Sequence, residues 1–423
     1  MYSCIEYILW WNNMENIGER IVNLDPTTRH EGHARLVLHV DEEGIVERAY
    51  YISTTMVRSF ESLTLGRTYE FTPKASMRIC GLCPVSHAEA SCQAIEGAFG
   101  LEIPQDALIL REILGLASKM QDHALHQFLI LNDIIDDEKI KKESIERIQE
   151  LRRIGQKMKD IVGGEAIHPS NYCVGGFNKN ISQRASASLY RLVRKYEKNA
   201  HLQKDLFIET IEKKLENLPN NIGISNSSIL ATHMTYGDRN EINIEAIREV
   251  IPSRFYGKEE EGRMTNTMIP LYYGETVETG PRARFIKFKR FSGDSALYIN
   301  VARAREMLVM VYRAEELLDQ LDVNGKTKPD HITVKEGEGI GVYEAPRGTL
   351  IHMAKTDQNG IMRDYRIISP TTWNIPTIGK AIEGSPQEYA EVIMRSYDPC
   401  LDCATHCIIV KDTDGKILER RYM

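Results

Sequence analysis

The 423-residue sequence is short of cysteine: its eight are too sparse for the disulfide framework of a small secreted chain, and reduced thiols open to metal are expected instead. No apolar run approaches the roughly 20 residues that cross a bilayer. With 42% hydrophobic and 27% charged residues, the composition is that of an ordinary globular protein, and no membrane span is expected. A basic excess is missing too. The formal charge of −7 and pI near 6.0 argue against a general nucleic-acid binder, which neutralises phosphates with clustered Lys and Arg. The apolar start, Ile5 to Trp11, follows no Lys or Arg and precedes no small-residue cleavage site, so a cytoplasmic address is expected, with Met14 as an alternative start. Repeats, low-complexity tracts and Pro/Gly/Ser-rich linkers are absent, so the chain reads as one domain over 1–406, with 1–24 as an N-terminal extension.

What is present is mostly helical pattern. Alternating Leu36, Leu38 and Val40, an Asp41-Glu42-Glu43-Gly44 turn and a second run from Ile45 predict a β-hairpin between Arg35 and Ile52. After Pro104, helical spacing covers 108–131, and further helical patterns cover about 138–162, 181–217 and 294–322. Strands return over 341–344, 349–354 and 362–368, the last after an Asn359-Gly360 turn. The last residues, around Asp414-Gly415, form a further hairpin or a loose tail. The expected fold is mainly α with small peripheral β-sheets, an α+β chain with long central helices.

Two Cys-x-x-Cys clips stand out, Cys80/Cys83 and Cys400/Cys403. Two intervening residues let a tight turn aim both sulfurs at one ion, and four soft thiolates suit zinc, iron–sulfur, nickel or iron. For one clip alone, a structural zinc site or a redox dithiol is as good a reading as catalysis. Zinc-ribbon pairs, however, sit within about 15–20 residues of each other and substitute for a missing core. A chain this long has no such need, so a site assembled from both its ends reads as functional.

The flanking residues then carry a resemblance. Arg78-x-Cys80-Gly81-x-Cys83-x-x-x-His87 and Asp398-Pro399-Cys400-x-x-Cys403-x-x-His406 are similar to the two metal-binding signatures of nickel–iron hydrogenase large subunits. The resemblance extends to Thr28-Arg29-His30-Glu31-Gly32-His33, Gln121-Asp122-His123, His168-Pro169, Val174-Gly175-Gly176, Glu344-Ala345-Pro346-Arg347-Gly348 and Pro370-Thr371-Thr372-Trp373-Asn374. One departure is Arg282 in Gly280-Pro281-Arg282-Ala283-Arg284, where many relatives carry an apolar residue; it bears on local packing.

The resemblance implies a nickel–iron centre whose iron carries cyanide and carbon monoxide. Cys80 and Cys400 would bind nickel alone, and Cys83 and Cys403 would bridge the two metals. Arg347, otherwise a surface ion-pair residue, is expected over the centre as a planar fork for a cyanide. Thr371 would meet the second cyanide, and Asp122, otherwise a solvated helix charge, would hold Arg347. Asp398, which alone reads as a turn residue before proline, would support the nickel environment. Glu31 would carry the first proton from the terminal thiolate, although a lone Glu beside Arg29 is more often a paired surface charge. His87 is expected near the bridging thiolate, facing the partner subunit, with a zinc ligand as its plain alternative. Glu61 and His406 would hold a remote structural cation, magnesium or another. Cys4, Cys92 and Cys173 lack cluster spacing and read as packing thiols.

The same resemblance implies reversible cleavage of H2 and an iron–sulfur small subunit to carry electrons away, since no further cysteine set forms an iron–sulfur wire. The tail 407–423 resembles an extension that a maturation endopeptidase removes after nickel insertion, leaving His406 as the last residue; a plain C-terminal hairpin is the alternative. The segments 25–34 and 372–377 resemble the coenzyme F420-reducing archaeal type, with FAD, iron–sulfur clusters and F420 on partner subunits. The alternatives are a hydrogenase feeding a heterodisulfide reductase or NAD(P), a complex I-like relative without nickel, and a zinc-binding scaffold.

Overall fold

The computed structural model describes residues 20–165, 167–219, 221–257, 266–405, 408–411 and 417–421. Near the N-terminus, β1 (Arg20–Leu24), β2 (Ala34–Val40) and β3 (Val46–Ser53) form an antiparallel sheet in that order. The expected hairpin is its β2–β3 half. Asp41 makes the turn by accepting from the amides of Glu43 (2.9 Å) and Ile45 (2.8 Å). β1 lies inside the stretch read as N-terminal extension, so part of that stretch belongs to the sheet.

Two short helices, α1 (Phe60–Thr64) and α2 (Phe71–Ser76), lead to α3 (Pro84–Phe99), whose N1 proline suits a position that needs no N–H. Then come α4 (Gln105–Ile134), α5 (Glu138–Gly163) and α6 (Gln183–Glu216), all foreseen within a few residues. Asp137 and Ser182 cap α5 and α6. In α6 the buried Leu189, Val193, Tyr196, Ala200, Gln203, Phe207 and Ile211 repeat every three or four residues, the stripe of a helix with one face inward. α4 is buried on most sides, and its polar Asp122, His123 and His126 must therefore find partners inside the protein.

Three two-stranded pairs join β4 (Tyr172–Cys173) to β5 (Gly176–Phe177), β6 (Ser228–Leu230) to β9 (Val277–Thr279) and β7 (Ile247–Val250) to β8 (Ile269–Tyr272). Helices α7 (Pro252–Tyr256), α8 (Pro281–Lys289) and α9 (Tyr298–Gln320) follow, and α9 packs on α4 and α6, which also pack on α5. The second three-stranded sheet is β10 (Gly337–Ala345), β11 (Gly348–Thr356) and β12 (Met362–Ile368). α10 (Pro370–Ile382) and α11 (Ala390–Ser396) then lead to the second clip. Beyond it, β13 (Ile408–Lys411) pairs antiparallel with β14 (Ile417–Arg421).

One contact sets the position of the centre. Gly337, Gly339 and Gly341 lie on one face of β10, and a Cβ on any of them would overlap the carbonyl oxygen of Ala98, Ala94 or Ala90 on α3. Period two on the strand meets period four on the helix, and only glycine lets the backbones approach so closely. α3 is thereby fixed against the sheet whose β10–β11 turn carries Arg347. Among the described residues, no helix is long and apolar enough to cross a membrane.

Candidate metal centre

Cys80 leaves a 3₁₀ turn (Met77–Ile79) in extended conformation, and Cys83 immediately precedes α3. The turn between them folds back far enough for the Leu82 amide to donate to Cys80 Sγ at 3.3 Å. The second clip has less local support. Asp398 takes a left-handed φ of 54°, Cys400 is extended, and Leu401–Cys403 form a 3₁₀ turn. Its frame comes from elsewhere: Thr371 Oγ1 accepts the Cys400 amide at 2.9 Å, and Glu31 pairs through its backbone with Pro399 (3.3 Å) and Leu401 (2.9 Å). Arg58 ties the clips together by donating to the carbonyls of Ile79 and Asp402.

The four sulfurs are buried and converge. Cys80 and Cys400 Sγ are 3.5 Å apart, Cys83 and Cys403 Sγ 3.4 Å, Cys400 and Cys403 Sγ 3.0 Å, and all four lie within 4.8 Å of one another. These separations exceed a disulfide bond of about 2.05 Å, so the four sulfurs are not joined to one another as disulfides. Hydrogen bonds from Cys400, Cys403 and Cys83 draw the Cys80 thiol well below its ordinary pKa, whereas burial and its sulfur neighbours push Cys403 well above. Four adjacent thiolates repel one another unless a cation sits among them. A soft metal ion removes that conflict, and the donor set fits nickel and iron as well as zinc.

A cavity of about 10 Å³ adjoins the sulfurs, lined by Cys83, Cys400, Cys403, His87, Arg347 and Thr371 among others. It admits a water-sized guest and no organic substrate. Arg347 stands in the turn between β10 and β11, and each nitrogen of its fork is engaged once: Nη1 donates to Asp122 Oδ2 (3.0 Å), Nη2 to Asp398 Oδ1 (3.1 Å) and Nε to the Asp398 carbonyl (2.7 Å), which leaves each Nη a second N–H. Asp398 also takes Arg303 (3.1 Å) and His126 (3.3 Å). The two carboxylates differ accordingly. Burial pushes Asp122 up to about 6 against the pull of Arg347. At Asp398 burial pushes the same way, but Arg347, His126 and Arg303 outweigh it and hold the carboxyl below the usual range.

His87 lies beside the expected bridging sulfur, with Nε2 3.5 Å from Cys403 Sγ. Its Nδ1 meets His352 Nε2 at 3.1 Å, and His352 Nδ1 meets the Tyr365 hydroxyl at 2.6 Å. Burial lowers His87 to about 4, so the ring is neutral at physiological pH. Glu31 is half-buried beside the second clip, and burial, then the charge of Cys80, raise its carboxyl.

The structure thus brings together Cys80, Cys83, Cys400, Cys403, His87, Arg347, Asp122, Asp398, Thr371 and Glu31. Glu61 is apart from them, buried in α1, with Oε1 accepting the Ile367 amide at 2.8 Å. Its expected co-ligand His406 lies outside the described residues, as do Cys4 and Cys407. Cys92 is fully buried, and burial raises its thiol, as a packing residue requires. Sequence reasoning missed Arg303, His126, His352, Tyr365 and the clamping role of Arg58. Arg303 and His126 lie in expected helices, and His352 and Tyr365 in expected strands, but no spacing rule marks any of them as part of the site.

The family description "nickel-dependent hydrogenase" matches residues 58–151 and 289–406, and a HoxL-like description matches 21–52. The chain is 50% identical to the coenzyme F420 hydrogenase subunit alpha of Methanocaldococcus jannaschii, over 95% of this chain and 98% of the relative. It is 40% identical to the subunit of the same name from Methanothermobacter thermautotrophicus, with 95% and 98% covered. Among solved structures, a NAD+-reducing [NiFe]-hydrogenase in the H2-reduced state superposes with a TM-score of 0.78 at 25% identity, covering 92% of this chain and all of the other.

Proposed function

The chain belongs to the nickel-dependent hydrogenase family as a catalytic large subunit, and from that premise we propose that it cleaves and forms H2 reversibly and passes electrons through partner subunits to coenzyme F420. The observation that carries the chemistry is the set of four converging thiols under the Arg347 fork. When bound, the nickel–iron pair supplies the soft acid that polarises H2 and stores its electrons. Cys80 and Cys400 would hold nickel, and Cys83 and Cys403 would bridge it to iron.

This chain's own residues do the rest. Arg347 presents a planar cation to the mouth of the cavity and would hydrogen-bond a cyanide on the iron, with Thr371 taking the other through its hydroxyl. Asp122 and Asp398 keep that fork in plane. Cys400 would accept the proton of heterolytic cleavage, and Glu31, whose carboxyl is raised above its ordinary value by burial and by the charge of Cys80, would relay it toward solvent. The Nε2 of His87 would donate to the Cys403 sulfur and temper its charge. Glu61 and His406 would bind a structural cation, magnesium being the expected one.

Electrons would leave through an iron–sulfur small subunit and then a flavin-containing subunit. The support for F420 over NAD is the 50% and 40% identity to subunits named for F420, against 25% to the NAD+-reducing structure. Hydrogen-dependent reduction of F420 by the purified native complex tests it: F420 reduced and NAD+ untouched is expected, and the reverse, or electrons flowing only to a heterodisulfide reductase, rejects the assignment. We also propose that an endopeptidase removes 407–423. Intact mass of the active chain should then end at His406, and full activity with Met423 retained rejects processing.

A further inference from the structure

The turn that presents Arg347 is gripped from behind by the segment from Thr279 to Arg284. Gly280 and Gly348 face each other there. A Cβ on Gly280 (φ +125°) would stand 2.9 Å from the Arg347 carbonyl oxygen, and one on Gly348 (φ +133°) would stand 2.7 Å from the Gly280 nitrogen. Such an approach leaves no room for a side chain on either residue. Thr279 Oγ1 accepts the Thr349 amide at 2.8 Å, while the side chain of Asn374 holds both the N–H and the C=O of Thr279, each at 3.0 Å.

Pro281 then opens α8, and within one turn Arg284 reaches back beneath the Arg347 loop. Its guanidinium is fully buried. Nε and Nη2 make a forked pair with Glu306 (2.6 and 2.8 Å), and Nη1 donates to Glu344 Oε2 (3.0 Å) and the Ala345 carbonyl (3.1 Å). Nη2 also reaches the Pro346 carbonyl at 3.4 Å. Every N–H of the group therefore has an acceptor, and three of those acceptors belong to the residues directly before Arg347. On its far side, Glu306 accepts from His123 Nε2 at 2.7 Å, and His123 neighbours Asp122 on α4. Arg284 thus links the loop carrying Arg347 to the helix carrying the carboxylate that Arg347 must meet.

We propose that Arg284 is a positioning residue for Arg347: its fork on Glu306 and its hold on Glu344, Ala345 and Pro346 set where the Arg347 guanidinium stands over the four thiols. The proposal rests on Arg347 serving the hydrogenase centre. Lysine cannot replace Arg284, because a point charge does not supply five donors in one plane.

A double-mutant cycle in the native complex tests it, reading hydrogen-driven dye reduction, nickel content and the g-values of the nickel electron paramagnetic resonance signal. Arg284→Lys should keep nickel, slow turnover about 100-fold, the scale of a misplaced catalytic group, and shift the g-values as Arg347→Lys does. In the Arg347→Lys background it should cost less than about threefold more, since residues acting through one another are not additive. Arg111→Lys is the control, because Arg111 forks onto Glu96 at an equally buried site away from the loop; it should act alike in both backgrounds and leave the signal unmoved. Equal cost of Arg284→Lys in both backgrounds, or unchanged g-values, overturns the proposal. Normal turnover in Arg347→Lys alone instead overturns the role of Arg347. Should Arg284→Lys not fold, Glu344→Gln carries the same test, since Thr232 and Thr349 still hold its other oxygen; about a tenfold loss with the same non-additivity is expected, and additive behaviour rejects the idea.

Discussion

The first clip, Cys80 and Cys83, is held by structure close to it in sequence, whereas the second, Cys400 and Cys403, is held by residues scattered along the chain, from Thr371 back to Glu31. A 3₁₀ turn and the start of α3 shape the first, and α3 is locked in turn against the glycine face of β10. Thr371, Glu31 and Arg58 shape the second, with Asp398 pinned by Arg347, Arg303 and His126. The difference assigns the clips different tasks. The first is a half-site formed once α3 packs, and the second is a buried half-site whose geometry depends on the whole fold being in place.

The firmest way to break this contrast is through the footing of the first clip. Gly339→Val on β10 should cost about 4 kcal/mol or more, since its side chain would collide with backbone rather than with a yielding side chain; thermal unfolding measures it, and a fall within a degree or two would show that the helix and strand have slack. Next comes the proton route beside the second clip. Glu31→Gln should retain nickel and slow hydrogen/deuterium exchange roughly 100-fold, and wild-type exchange would place the exit elsewhere. Thr371→Val leaves the buried Cys400 amide without its acceptor, which should cost about 1–3 kcal/mol; an unchanged midpoint would mean that the second clip does not depend on it.

The smallest effect is a pH dependence that separates the two carboxylates on Arg347. Asp122 is raised to about 6, so its contribution to stability is present in full below its unfolded value near 4 and is lost as pH rises toward 6. Asp398 is lowered, so its contribution is present above pH 4 and is lost as pH falls below that. Wild type should therefore lose stability relative to Asp122→Asn as pH rises from 4 to 6. A wild type that gains on the variant over that range would reverse the assignment of the two groups.

The same contrast explains what the sequence disclosed. Long helices were legible because α5 and α6 carry regular buried stripes with Asp137 and Ser182 as caps, and the β2–β3 hairpin because Asp41 to Gly44 is a strong turn. The clips were legible because two cysteines two residues apart can face one ion. The supporting shell was not. Arg284, Arg303, His352 and Tyr365 sit on separate elements whose meeting depends on tertiary packing, and each alone looks like an ordinary helix or strand residue. The Gly337, Gly339, Gly341 alternation was in plain view, but its meaning emerges only beside Ala90, Ala94 and Ala98.

The central claim is that both clips grip one nickel-containing centre. X-ray absorption at the nickel edge of the native complex tests it most directly, in wild type and in Cys400→Ser. Sulfur-ligated nickel in the wild type, lost or stripped of one sulfur in the variant, is the expected result; zinc in place of nickel, or a nickel signal untouched by Cys400→Ser, contradicts it.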